Sequence, residues 1–151
     1  MHDLKPVAFV VPGEPVGKGR PKTSARKVGD KVITRHYTPE KTANYEGLIA
    51  HAAHQAMAGR SLITGAVMVE LFITVSVPQS WSKKRKLQAL AGQIFPVKKP
   101  DKDNIIKAIY DGLNGVVWVD DVQAVDGRQR KRYGDVPGVQ VRVIPLIEGA
   151  C

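Results

Sequence analysis

Apolar and polar positions along the chain mark out most of its elements in advance. Val7-Ala-Phe-Val-Val11 is a short apolar run closed by Pro12-Gly13, the pattern of a buried strand. Gly, Pro, Lys and Arg dominate from Gly13 to about Asp30, which predicts a loop or hairpin excursion. Lys31–Tyr37 pairs back as a strand, so the basic excursion covers about residues 13–38. Thr38-Pro39-Glu40 then reads as an N-cap with proline at the first helical position. The helix from about Pro39 to Met57 places Tyr45, Leu48, Ile49, Ala52, Ala53 and Ala56 on one face and ends at Gly59.

Ala66–Val77 is nearly continuous in apolar character and predicts a central strand buried on both faces. Pro78 stops it. Ser82–Ala91 predicts a short helix carrying Lys83, Lys84, Arg85 and Lys86, ended by Gly92. Asn104–Leu113 predicts an amphipathic helix with Ile105, Ile106, Ile109, Tyr110 and Leu113 inward. Asp103 is its expected N-cap and Gly115 its C-cap signal. Strands near Val116–Val119 and Gln123–Lys131, a turn at Tyr133–Gly138 and a last strand at Val139–Leu146 complete the series. Regular βαβ spacing is absent. The expected fold is α+β: a single domain over residues 1–151 with one mixed sheet and helices packed on it.

Composition narrows the function more than the fold. With 151 residues, one core is expected. Aromatics make up only 6%, too few for an extended base-stacking platform. The charge is unusual: 23 Lys+Arg against 14 Asp+Glu give +9, with pI ≈ 9.8. That field attracts nucleic acid or an anionic membrane surface. No apolar run approaches the roughly 18 residues needed to span a bilayer, and no signal peptide is visible. The single cysteine, Cys151, excludes an intrachain disulfide and a Cys-based zinc site. A cytoplasmic protein without a membrane partner is expected.

Against this basic background, carboxylates gather in one block. Lys98-Lys-Pro-Asp101-Lys-Asp103-Asn104-Ile-Ile-Lys107 is followed by Trp118-Val-Asp120-Asp121. Asp101 and Asp103, one residue apart at a helix entrance, have the spacing to share a cation if the segment is extended. Hard carboxylate oxygens suit Mg²⁺, which is held by a few carboxylates together with water and substrate phosphate. Lys107 lies one helical turn beyond Asp103, where an ammonium can meet charge developing on a phosphate. The plainer reading makes Asp103 an N-cap, Asp103–Lys107 a helix-surface ion pair worth about 0.3–0.5 kcal/mol, and Asp120-Asp121 a charged turn. Residue spacing by itself leaves both open.

Lys-Pro-Asp101-Lys-Asp103-Asn104-Ile-Ile-Lys107-Ala-Ile-Tyr-Asp111-Gly-Leu-Asn-Gly-Val-Val-Trp118-Val-Asp120-Asp121 resembles the signature of the RusA family of Holliday junction resolvases, often encoded by phages and prophages. The likeness continues through Lys131-Arg-Tyr-Gly-Asp-Val-Pro-Gly-Val139. Upstream, Gly13-Glu-Pro-Val-Gly-Lys18-Gly-Arg20-Pro21 and Tyr37-Thr-Pro-Glu-Lys-Thr42 are similar to the longer phage-type members. The resemblance implies a homodimeric endodeoxyribonuclease that nicks two strands of a four-way junction symmetrically, using Mg²⁺ or Mn²⁺. It implies Asp101, Asp103 and Asp121 as metal ligands and Lys107 as the catalytic lysine. Lys102 departs from the pattern, which more usually has an apolar residue between the two aspartates. In a strand Asp120 and Asp121 would face opposite sides, so one ligand is expected of the two, and the resemblance favours Asp121.

The remaining cations are candidates for DNA contact: Lys18, Arg20, Lys22 and Arg35 in the excursion, and Lys98 and Lys99 beside the acids. Contacts of this kind to phosphate give affinity and orientation with little reading of sequence. His51 and His54 are expected as surface histidines, Trp118 as core and Trp81 as a loop anchor. A metal-dependent nuclease of branched DNA leads. A non-catalytic basic DNA-binding module is the alternative, and a nucleotide-sugar transferase is disfavoured by the missing Gly-rich βαβ start.

Overall fold

The computed structural model describes residues 3–19, 22–37 and 39–149. In chain order its elements are β1 (Val7–Pro12), β2 (Lys22–Val28), β3 (Lys31–Tyr37), α1 (Glu40–Met57), β4 (Val67–Val75), α2 (Lys83–Leu90), α3 (Lys102–Leu113), a 3-10 turn (Asp121–Gln123), β5 (Ala124–Tyr133) and β6 (Gly138–Pro145). Four strands form one sheet in the order β1-β6-β4-β5, and β2-β3 form a separate hairpin. β4 runs antiparallel to β6 and parallel to β5. A parallel pair needs a long crossover, and the chain from β4 to β5 supplies it with α2 and α3. The mixed sheet with helices packed on it is the α+β architecture expected from sequence.

Alternate residues of β4, namely Val67, Val69, Leu71 and Ile73, are buried. They share a core with Tyr45, Ile49 and Ala53 of α1 and with Ile105, Ile109 and Leu113 of α3. Fully burying one large apolar side chain contributes about 1.5–3 kcal/mol, so these contacts fix α3 firmly on the sheet. Gly112 permits the close crossing of the two helices, since a Cβ there would sit 2.8 Å from Ile49 Cγ2.

Four expectations are corrected. β4 is central, but only one of its faces is buried; Met68, Glu70, Phe72 and Thr74 remain half-buried. Its apolar run reflects β-propensity as well as burial. α3 begins at Lys102, so Asp101 rather than Asp103 occupies the N-cap position, with extended backbone and no side-chain cap hydrogen bond. Val116–Val119 is no strand: Gly115 N–H donates to the Trp118 carbonyl in a tight return, with Trp118 fully buried. α1 closes on Ala58, which takes the left-handed conformation ahead of Gly59, and Leu48 is 38% exposed while Met57 is buried. α1 also starts a residue later than expected, with Pro39 as its N-cap and not its first helical residue; Thr38 and the tail residue Cys151 lie outside the described residues.

Candidate active site

α3 carries the acidic block along its exposed side. Asp101, Asp103 and Lys107 are all exposed, one side chain at the cap, one in the first turn and one a turn further. The Asp103–Lys107 ion pair of the plainer reading is not among the salt bridges formed by the described residues.

Asp120 and Asp121 are placed by a capping box and not by a strand. Asp120 caps the 3-10 turn, its carboxylate accepting from Val122 N–H at 3.4 Å. Gln123 reaches back, its Oε1 accepting from Val119 N–H (2.9 Å) and Asp120 N–H (3.0 Å). Its Nε2 donates to the carbonyls of Ile63 (2.8 Å) and Gly65 (2.9 Å). Gln123 thus fixes the turn that presents Asp121, a role that sequence reasoning missed. The signal is present in the chain: an acid followed three residues later by Gln is a capping-box spacing.

Asp121 is half-buried. Desolvation pushes its carboxyl up from the usual carboxylate range, and the neighbouring Asp120 carboxylate pushes the same way. A hydrogen bond from Asn114 opposes both, and Asp111 adds further repulsion. Asn114 is oriented in turn by Trp118, whose Nε1 donates to Asn114 Oδ1 at 2.7 Å. Asp111, Asp120 and Asp121 therefore form a like-charged group toward the C-terminal end of α3, while Asp101 and Asp103 stand at its N-terminal end.

Two lysines hold the frame. Lys131 Nζ, from β5, donates to the carbonyls of Lys98 (2.5 Å) and Pro100 (2.7 Å). Burial lowers its pKa, with Asp101 pulling the other way. The loop that delivers Asp101 is thereby tied to the sheet edge. Lys18 was expected in the phosphate clamp, but its side chain is only 18% exposed and its Nζ sits 2.5 Å from Glu46 Oε1 and 3.0 Å from Asp111 Oδ2. Burial disfavours its charge, yet the two carboxylates carry the net shift of its pKa upward. Its backbone N–H donates to the Asn104 carbonyl at 2.9 Å. Lys18 therefore pins the start of the excursion across α1 and α3. Gly17 beside it allows this approach, since a Cβ there would lie 3.0 Å from Pro100 Cβ and 3.2 Å from Asn104 Cβ.

Lys98 and Lys99 are exposed next to Asp101, with Lys98 Nζ 5.3 Å from the centre of the Trp81 ring. Trp81 also packs edge-on to Tyr133 and lies beneath Arg85, so it anchors the loop before α2. Lys22 and Arg35 are backbone positions of β2 and β3, and Arg20 lies outside the described residues. His51 and His54 are both exposed.

Among the described residues no three His, Cys, Asp or Glu side chains are close enough to make a ready cage for a metal ion. The donor chemistry nonetheless fits Mg²⁺, which takes one or two carboxylates and completes its shell with water and substrate phosphate. Asp101 and Asp103 offer water-accessible carboxylates of that kind. No helix is long and apolar enough to cross a membrane.

The α+β domain thus presents exposed aspartates and a lysine on one helix, beside exposed lysines of the preceding loop. The family model of the endodeoxyribonuclease RusA matches residues 12–144, and the chain belongs to the RusA family. A curated relative, the Bacillus subtilis (strain 168) protein named "Uncharacterized protein YqaN", is 37% identical over 139 residues, covering 91% of this chain and 94% of that protein.

Proposed function

We propose that this protein is a Mg²⁺-dependent, structure-selective endodeoxyribonuclease that resolves four-way DNA junctions by paired nicks, acting as a homodimer in the cytoplasm. The observation that carries the reading is the family match over residues 12–144, which takes in every acid of the block together with Lys107. Asp101 and Asp103 would hold the ion, with Mn²⁺ as a substitute; Asp121, the third ligand that the family resemblance implies, stands apart from them, beside Asp111 and Asp120. Bound there, the ion would lower the pKa of a water and polarise the scissile P–O bond. Lys107, exposed one turn beyond Asp103, would stabilise charge that builds on the phosphate oxygens. Lys98 and Lys99 orient the incoming strand by its phosphates, and Lys22, Arg35 and Arg20 extend that contact along the excursion. Lys18 works at one remove, as a positioning residue that keeps the excursion docked on α3.

Asp101→Asn and Asp103→Asn test the assignment. Each should abolish nicking of a four-way junction while leaving junction binding within a few-fold, because the acids act on the transition state and affinity comes from Lys and Arg. Near-normal nicking by either variant removes that residue from the site. Salt-sensitive binding by the wild-type protein, with no nicking in Mg²⁺ or Mn²⁺, would identify a non-catalytic DNA-binding module instead.

A further inference from the structure

β5 is an edge strand of the sheet, and its even-numbered residues face away from α3. Three of these are Arg128, Arg130 and Arg132, all exposed. Alternate residues of a strand stand about 6.6–6.8 Å apart on one face, close to the spacing of successive phosphates along a nucleic-acid strand. Two of the guanidinium groups rest on aromatic rings: Arg130 lies 4.9 Å from the centre of Phe72 and Arg132 4.8 Å from that of Phe95. Such stacking restricts the fork and leaves N–H donors at its edges; one of them, on Arg132 Nη1, donates to the Lys131 carbonyl at 2.9 Å, and the rest face outward for a phosphate. None of the three takes part in a salt bridge among the described residues. Glu70, an acid on the same face of the neighbouring strand, is directed to Arg142 at 3.8 Å.

This row leads into the site. A cleft of about 360 Å³ at the outer edge of β5 is lined by Arg130, Arg132, Lys98, Lys99 and Lys102, with Asp101 as its acid. α1 and α3 pack on the opposite face of the sheet, so the row stays open. We propose that Arg128, Arg130 and Arg132 form a phosphate track that carries one DNA strand across the open face of the sheet into the cleft beside Asp101. A second copy of the chain is a poorer occupant, because two-fold pairing of this edge would set one arginine row against another. The track rests on the reading that the protein acts on DNA, but not on its being a nuclease.

The test is a salt titration of binding to a four-way junction and to a matched duplex in EDTA. Wild type is compared with R128Q/R130Q/R132Q and with the corresponding triple lysine variant. Removing one phosphate-binding cation should flatten the slope of log K against log salt by about 0.9 on duplex arms. The glutamine variant should therefore reduce the slope by about 2–3, and the lysine variant should keep most of it. Melting temperature and mass by light scattering should stay at the wild-type values. If the triple variant fails to fold, each single glutamine variant should show its own reduction of about 0.9. An unchanged slope in a folded variant overturns the track, and so does a change of mass, which would make this face a protein interface. Adding Mg²⁺ afterwards separates the two readings. A flattened slope, with no nicking by the wild-type protein, keeps the track and removes the nuclease, whereas normal nicking with an unchanged slope removes the track alone.

Discussion

Lys107 is the residue whose proposed role departs most from a surface-helix default. A lysine one turn after an aspartate ordinarily closes a weak ion pair, yet no such pair forms among the described residues and Lys107 stands exposed beside Asp103. Its ammonium is available to a substrate phosphate. Lys107→Ala should lower the cleavage rate by roughly 10²-fold or more, the scale of removing one transition-state donor. Thermal unfolding should hardly change, since the side chain neither packs in the core nor pairs with Asp103. Unchanged cleavage with a lower melting temperature would return the residue to a structural role. Lys18 shows the reverse case. Its sequence neighbourhood of Gly, Pro and basic residues suggests a mobile clamp, whereas Glu46 and Asp111 hold it. Those partners sit on α1 and α3, far along the chain, and no local pattern announces them.

At the level of elements, periodicity is legible in the sequence and long-range direction is not. The apolar spacing of Ile105, Ile109 and Leu113 marks the inward face of α3, and Pro and Gly mark most boundaries. The N-cap of α3 falls two residues before the expected Asp103 because Asp103 and Asp101 are both acceptable N-terminal residues, and only tertiary contacts choose between them. Lys131, reaching from β5 to the Lys98 and Pro100 carbonyls, is one such contact. Asp101 and Lys107 can be named from motif and resemblance, but the anchoring of the turn that carries Asp121, and the open face under the arginine row of β5, depend on how distant segments pair. Gly17 joins two elements directly. Gly17→Ala would press a methyl against Pro100 and Asn104, lifting the excursion or shifting the loop that carries Asp101. A displacement of a few tenths of an ångström at a catalytic site costs rate more than stability. We expect about a tenfold fall in cleavage with a melting temperature close to wild type; full activity would show that the contact gives way elsewhere.

For the whole molecule, symmetry connects assembly to substrate. Under the proposed function, paired nicks on opposed strands require two acidic sites, one from each chain, so a two-fold dimer would match an opened four-way junction. In such a dimer each protomer would bring a net charge of +9, which would have to lie along the DNA arms and away from the shared interface. Light scattering at moderate salt should report about twice the 16.5 kDa chain mass, and a monomer that still makes paired nicks in one binding event would defeat the dimer. The central claim is the metal-dependent resolution of branched DNA, and one incubation tests it most directly. A four-way junction labelled on each strand in turn, and a duplex of matched sequence, are incubated with the wild-type protein with and without Mg²⁺. Symmetric nicks across the junction, only with Mg²⁺ and with the duplex left intact, are the predicted result. Absence of nicking with Mg²⁺ present, or equal cutting of junction and duplex, would contradict it.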